Sequence, residues 1–548
     1  MSDPKELEQR QSTGAGRGVL YIAFAKFYFM FAGLLVQVRL PALLSRAAFG
    51  SYSLVASIAS FVNNVVVTGT IQAVSRFSAQ EPGKARLVQH AGLRMHVRLG
   101  LPIAVVFIAA APIVSNFVLL DDTKTAPLML AGLIVGGYSF YAVFIGTANG
   151  LRMFHKQAGL DISFATLRVA GLLGMAMAGF GVIGVIGGWV AAVGVILCAA
   201  MVWVGLPGKP AERLPVRPLI GYFAGVATYL TLFNALMFVD SVLIKRFTTI
   251  YFDEHAGALR AAIDQALPWA PGLTGYKADA SALADVQNAY YAAVQNLARL
   301  SYQAIIAATF VVFPLVSKST FSEDKETTRR YVEVTSRYSL MFATALAVVM
   351  AANPVDVLGL VYAPDYAQRG GAALVWLAFG NVAFSVFAIN GTILNGAGLT
   401  RAAIATAALT LALAVIGNWI AIPLAAERGN VLEVAAAVTG GAMVVGAIAS
   451  AIVLRQRLGG ALPLASLVRI TLATAAAFAV GRFIPLAKVA PGGLWEIAHR
   501  GKLMTLVVAV IVGITFLAVL VVTRELGARD LAAIKAVRTK RAPGGGDS

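Results

Sequence analysis

Residues 290–318 read YYAAVQNLARLSYQAIIAATFVVFPLVSK. The stretch exceeds the roughly 20 apolar residues that a helix needs to cross a bilayer. Polar residues enter it at helical spacing. Asn288, Tyr291, Gln295, Arg299 and Tyr302 stand three or four positions apart and share one face. Arg299 lies about 18 Å into a helix begun at 287, close to the middle of the hydrocarbon core. No acidic residue at similar depth presents itself as a partner. A full charge facing lipid there is costly. The stretch therefore reads as a membrane helix whose polar face lines a water-filled cavity that receives something anionic.

The remainder of the chain extends that reading. Of 548 residues, 59% are hydrophobic and only 13% charged, with a mean hydropathy of +0.78. Soluble domains carry about 25% charged residues, so an ordinary soluble enzyme is excluded. About fourteen apolar runs are long enough to span: 19–40, 51–73, 99–118, 126–149, 162–180, 182–206, 219–244, 287–316, 337–361, 371–395, 402–424, 431–454, 466–486 and 503–523. The fifth and sixth are separated only by Gly179, Phe180 and Gly181, and form either a tight hairpin or one broken segment. The first run follows a polar start without a small-residue cleavage site, so it reads as a retained helix. The fold class is thus an all-α polytopic membrane protein.

Charge gives the topology. The formal net charge is +18, which in a soluble protein would suggest nucleic acid. With the N-terminus cytoplasmic and an even number of spans, more than twice as many Lys and Arg fall inside as outside. That bias places both termini in the cytoplasm, with no nucleic acid implied. The expected layout is a cytoplasmic N-terminus (1–18), helices one to six (19–206) and a cytoplasmic linker (207–218). Helices seven to twelve (219–454), helices thirteen and fourteen (455–523) and a basic cytoplasmic tail (524–548) follow. Residues 74–98 read as a basic cytoplasmic loop. Residues 245–286 read as the longest outside segment, with a short interfacial helix suggested by Leu259, Ile263, Ala266 and Leu267. Asp121 and Asp122 read as solvated charges ending a helix. Asp240 reads as an interfacial charge at a helix end.

Three further helices carry polar stripes. The second has Ser53, Ser57, Ser60, Asn64, Thr68 and Gln72, the seventh Thr228, Thr231, Asn234 and Ser241, and the tenth Asn381, Ser385, Thr392 and Asn395. Such residues either join helices or face a cavity. Lys26 and Arg168 each lie about 10 Å into a helix and can snorkel to the interface; if Lys26 instead faces the cavity, it adds to the field of Arg299. The single cysteine, Cys198, sits in an apolar run, and the five histidines are scattered. No zinc spacing, nucleotide-binding motif or other cofactor signature is present.

Four stretches together resemble the polysaccharide-biosynthesis branch of the multidrug/oligosaccharidyl-lipid/polysaccharide exporter superfamily. They are LPALLSRAAFGSYSLVASI (40–58) with TGTIQAVSRFSAQ (68–80), the opening stretch 290–318, VLGLVYAPDYAQRGGAALVWLA (357–378), and ILNGAGLTRAAIATAALTLALAVIGNWIAIPLA (393–425). An internal repeat agrees. Ala148-Asn149-Gly150 ends the fourth helix and Leu394-Asn395-Gly396 the tenth, 246 positions later, each before a basic turn. That pattern suggests two parallel six-helix repeats. The resemblance implies two six-helix lobes around a central cavity that opens alternately to either side, with two C-terminal helices added. It implies that helices one, two, seven and eight line the cavity. The family often has an arginine eight residues before the F-G glycine. Here that position is Ala42, and Arg39 lies about one turn earlier.

The substrate the resemblance implies is a polyprenyl-diphosphate-linked oligosaccharide, moved across the cytoplasmic membrane for surface polysaccharide such as O-antigen or exopolysaccharide. Its implied partners are membrane lipids, a polysaccharide polymerase and glycosyltransferases. The candidate substrate-binding residues are Arg299, Gln295, Tyr291, Tyr302, Lys26, Asn64, Ser60, Asn234 and Arg39. Cations meet the diphosphate, and hydroxyl and amide groups meet the sugar. Two other classes are weighed against this flippase. A cation-coupled drug exporter of the same superfamily would use a buried carboxylate, and no helix shows a midplane acid. A membrane glycosyltransferase or polymerase would use a large outside domain or an acidic pair such as Asp121 and Asp122.

Overall fold

The computed structural model describes residues 4–208, 212, 214–266, 280–303, 325–460, 462–483 and 502–527. The described chain is helical nearly throughout, and thirteen of its helices are long and apolar enough to cross a membrane. These thirteen correspond to every expected run except the eighth. That run is helical from Ala280 to Ala298 and again at 300–303, and its remainder lies outside the described residues. About fourteen spans is the count the fold supports. The last two expected runs are both helices, Leu464–Phe483 and Lys502–Val522.

The chain divides into two compact units: Met1–Ala292 with Val415–Leu432, and Ala293–Ala414 with Glu433–Ser548. In the first unit, α1 is Pro4–Leu43, α2 Arg46–Gln80, α3 Ala85–Arg98, α4 Gly100–Ile113, α5 Thr125–Gly150, α6 Phe154–Met177 and α7 Gly181–Trp203. Helix α8 (Arg217–Leu236), α9 (Val239–Glu254) and α10 (Ala256–Ala266) follow. Helix α11, Ala280–Ala298, begins in this unit and ends in the second. Helix α5 is the most enclosed, packing on α2, α4 and α7, while α6 joins α1 to α7 and α8 lies on α2. Ser45 caps α2, its Oγ accepting from Ala48 N at 3.2 Å. That frees the following Phe49-Gly50-Ser51-Tyr52 to enter the core, with Phe49 and Tyr52 both buried. Gly50 is required there, because a Cβ would stand 1.7 Å from the carbonyl oxygen of Asp285 on α11.

The second unit contains α12 (Lys325–Ala352), α13 (Pro354–Val361), α14 (Pro364–Gly396), α15 (Thr400–Arg428, whose second half falls in the first unit), α16 (Val431–Leu458), α17 (Leu464–Phe483) and α18 (Lys502–Val522). Its core is α14 against α12 and α13. Gly380 and Gly440 let α14 and α16 approach backbone to backbone. Asn390 Nδ2 donates to Ser450 Oγ at 2.9 Å across the same pair. Helices α17 and α18 pack on each other and on α12. Glu525, just past α18, is buried and meets Arg337 at 2.8 Å and Arg469 at 3.2 Å. The first residues of the expected basic tail are therefore tied down by a carboxylate.

Three expectations change. The basic segment 74–98 is not a loop: Arg76 lies in α2, and residues 85–98 form α3, which buries Val88, Met95 and His96. The seventh run is not one helix. It stops at Leu236 and restarts at Val239, and an apolar run shows no sign of such a break in its composition. The outside segment 245–286 begins inside α9 and ends inside α11. A helix does stand where the interfacial helix was expected, as α10, although Leu267 lies outside the described residues. The fifth and sixth runs are a hairpin, turned by Gly179 and Gly181 at φ +79 and +60.

The half-chain repeat reaches the backbone. After α5, Leu151 N, Arg152 N and Met153 N donate to Thr147 O, Asn149 O and Ala148 O. After α14, Ala397 N, Gly398 N and Leu399 N donate to Ile393 O, Asn395 O and Leu394 O. The same three-bond cap thus closes both helices. The next hairpins match as well, with Gly179 and Gly429 at positive φ in equivalent caps.

Candidate functional site

The polar residues of the first unit meet along two seams. Between α1 and α6, Lys26 Nζ is 2.9 Å from Asp161 Oδ2, Tyr28 and Thr166 share a hydrogen bond of 2.8 Å, and Phe29 stacks on Phe164. Lys26 keeps a half-exposed side chain (54%), whereas Asp161 is largely covered (12%). Two turns further along α6, the Arg168 guanidinium lies 4.6 Å from the centre of the Trp189 ring and beside the Tyr52 hydroxyl. Lys26 therefore does not simply snorkel: it pairs with an acid just outside the expected fifth run, which α6 includes. Asp161 stands seven positions before Arg168, the spacing of one helical face, and that signal was available.

Between α2 and α8, Asn64 Nδ2 donates to Asn234 Oδ1 at 3.2 Å, and Asn234 Nδ2 donates to Leu230 O. Two of the expected stripes are therefore joined directly. Ser60 is half-buried one turn before Asn64, and Arg39 is exposed near the end of α1.

The stripe on α11 is placed residue by residue. Tyr291 is fully buried, and its hydroxyl donates to Asp240 Oδ2 at 2.6 Å. Asp240, only 1% exposed at the start of α9, is thus not an interfacial charge but a buried carboxylate beside the break at Met237 and Phe238. In the second unit Gln295 is buried and Arg299 half-buried. Arg299 occupies a turn between Ala298 and Leu300, where its carbonyl accepts from Tyr302 N and Gln303 N. Tyr302 packs edge-on to Phe384 of α14, with ring centres 4.9 Å apart.

The strongest electrostatic feature lies at the first-unit end of α11, and no local pattern announces it. Lys124 Nζ is 2.7 Å from Asp285 Oδ2, and Lys245 Nζ is 2.9 Å from Asp121 Oδ2 and 2.9 Å from Asp285 Oδ1. Lys124 also pairs with Asp121, and Lys245 donates to Ser281 Oγ at 2.7 Å. All four charged side chains are 3% exposed or less. Asp121 is thus not solvated, which corrects its expectation, and Asp285, within the expected outside segment, is buried in α11. Burial by itself would push the Asp121 carboxyl up. Lys245, Lys124 and the Ser281 hydroxyl outweigh it and hold the group well below the usual carboxylate range. The Asp121–Lys124 spacing of three is visible in the sequence, but its partners lie more than 120 positions away. Among the described residues no group of three or more His, Cys, Asp or Glu is placed to hold a metal ion.

A family described as polysaccharide biosynthesis protein matches residues 40–251. Among solved structures, the lipid II flippase MurJ in an inward closed conformation shares the fold. Its TM-score is 0.68 at 11% identity, over 93% of this chain and 99% of that one. An inward-facing multidrug resistance MATE family transporter of the MOP superfamily has a TM-score of 0.57 at 14% identity, over 81% of this chain and 98% of its own. The Vibrio cholerae MATE transporter VcmN has a TM-score of 0.52 at 16% identity, over 82% and 98%. No curated protein sequence matches the chain. The chain shares the fold of these transporters, and its residues 40–251 match the polysaccharide biosynthesis family. The resemblance drawn from the sequence is borne out.

Proposed function

We propose that the protein is a flippase for polyprenyl-diphosphate-linked oligosaccharides, working by alternating access. The observation that carries the reading is the polysaccharide biosynthesis match at 40–251, a region that includes the α2–α8 asparagine seam and Arg168. Lys26 and Arg168 in the first unit, and Arg299 in the second, are each suited to a phosphate group. In a low-dielectric site each such cation is worth more than in water. Asn64, Asn234, Ser60, Gln295, Tyr291 and Tyr302 offer the donors and acceptors that sugar hydroxyls need, and Arg39 lies toward one end of α1. The lipid tail stays in the bilayer while the headgroup crosses. The protein resides in a bacterial cytoplasmic membrane with both termini inside. It acts as a transporter and not an enzyme, handing repeat units to a polysaccharide polymerase. Replacing Arg299 by Ala abolishes polysaccharide export in a cell-based assay while membrane insertion persists. Full export by that variant would remove Arg299 from the account.

A second reading, a cation-coupled drug exporter, gains one specific observation. Asp240 is a buried carboxylate at the start of the second piece of a discontinuous helix, where transporters commonly place ion sites. Drug resistance conferred by the wild-type chain and lost in Asp240→Asn would favour it.

A further inference from the structure

We propose that the α1–α6 seam is a stepped path for a membrane-borne phosphate anion. In it Asp161 is the displaceable counter-ion of Lys26, and Arg168 is the second cation. This rests on the flippase reading and extends it along α6, to the pairing of Asp161 with Lys26 and to the order in which Lys26 and Arg168 meet the anion. The pair is asymmetric. Lys26 is half-exposed, while its acid is recessed on α6, so an incoming anion meets the ammonium first. An Nζ with three donors can pass from one carboxylate to a phosphate oxygen without leaving the seam. Arg168 stands two turns beyond Asp161 on α6, about 10 Å along the helix. Its guanidinium is held by the Trp189 face and the Tyr52 hydroxyl, which fix its plane, while its buried Nε has no hydrogen-bond partner among the described residues.

The seam has a narrow opening there, a cavity of about 10 Å³ whose lining includes Gly33, Ala165 and Arg168. That is room for one water-sized group, so an oxygen enters without repacking and a whole phosphate requires α1 to move. At Gly33 an added Cβ would meet nothing within 4 Å, so this face of α1 leaves open space at the mouth of the cavity, while Ala32 and Val36 beside it are buried. Along the other edge of α1, Phe24, Phe27 and Phe31 are 64–67% exposed, an apolar flank along which a lipid-borne anion reaches Lys26 sideways. Among the described side chains, the seam sets Lys26 and Arg168 against one acid, Asp161. Releasing Asp161 from Lys26 leaves both cations for the ligand.

The test is equilibrium binding by the full chain in phosphatidylcholine nanodiscs containing polyprenyl diphosphate, phosphatidylglycerol, or neither with free inorganic pyrophosphate added. Lys26→Gln and Arg168→Gln weaken retention of polyprenyl diphosphate by about tenfold. Asp161→Asn strengthens it, and Asp161→Glu leaves it near the wild-type value. The exchange Lys26→Asp with Asp161→Lys restores thermal stability but not binding. A preference for polyprenyl diphosphate assigns the seam to the transported lipid. Equal, Lys26-dependent retention of phosphatidylglycerol assigns it to anionic headgroups in general. Equal weakening by Lys26→Gln and Asp161→Asn, wild-type binding by the exchanged pair, or capture of free pyrophosphate alone would overturn the inference and leave the flippase reading standing. Wild-type protein that retains phosphatidylglycerol through Lys26 but no polyprenyl diphosphate would instead overturn the flippase reading.

Discussion

At the scale of single residues, the chain is held by charges that compensate one another far apart in sequence. The cluster of Asp121, Lys124, Lys245 and Asp285 has two of each sign, all buried. Removing one member leaves an uncompensated charge out of water. Lys245→Met should therefore destabilise the first unit by about 3–5 kcal/mol, read as a lowered unfolding temperature in detergent. Replacing Lys245 and Asp285 together by apolar residues of similar size should cost less than either alone. The pH dependence has a definite sign. The Asp121 carboxyl is depressed in the folded protein, so its contribution is present above its ordinary value near 4 and is lost as pH falls through the lower folded value. Unfolding temperature should show no cluster-dependent loss between pH 7 and about 4, and an acid-side loss below it that Asp121→Asn lacks. A loss already complete at pH 5 would contradict this.

At the scale of elements, hydropathy carried most of the fold. Thirteen of the fourteen runs are helices that overlap their expected spans, because about 20 apolar residues leave a chain in lipid few alternatives. What periodicity misplaced were the ends and breaks. Residues 280–286 read as part of the outside segment 245–286, yet Lys124 and Lys245 pair with Asp285 there and α11 already begins at Ala280. The break at Met237 and Phe238 lies between apolar residues on both sides and has no compositional mark. Asp161 was missed because it stands at the start of an apolar run, where an acid reads as an N-terminal cap and not as a residue within the helix, and its Lys26 lies 135 positions earlier. Among the candidate site residues, Asn64 and Asn234 meet, and spacing on their helices had singled out both. The repeated caps add a prediction at this scale. Arg152 holds φ +56 where Gly398 stands in the other half at φ +77. Gly398→Ala should cost about 1 kcal/mol, while Arg152→Gly should be neutral or stabilising, measured by thermal unfolding. An unchanged unfolding temperature for Gly398→Ala would contradict the matched-cap assignment.

At the scale of the whole molecule, the +18 charge and the hydrophobic composition describe topology more than chemistry. On the proposed function the charge that meets cargo is a small remainder, at Lys26 and Arg168 within α1 and α6 and at Arg299 in the turn after α11, while the buried acids Asp121, Asp161, Asp240 and Asp285 are each engaged locally. The proposal that follows from these cations is anionic cargo rather than organic cations, and its central claim is that the cargo is a lipid-linked diphosphate sugar. The most direct measurement is translocation of a polyprenyl-diphosphate-linked oligosaccharide across proteoliposomes containing only the purified chain. Wild-type protein should move the headgroup to the opposite leaflet, where an added glycosidase or lectin reaches it, and Arg299→Ala should not. A wild-type chain that leaves the headgroup in its starting leaflet, or an Arg299→Ala chain that moves it equally fast, would contradict the account.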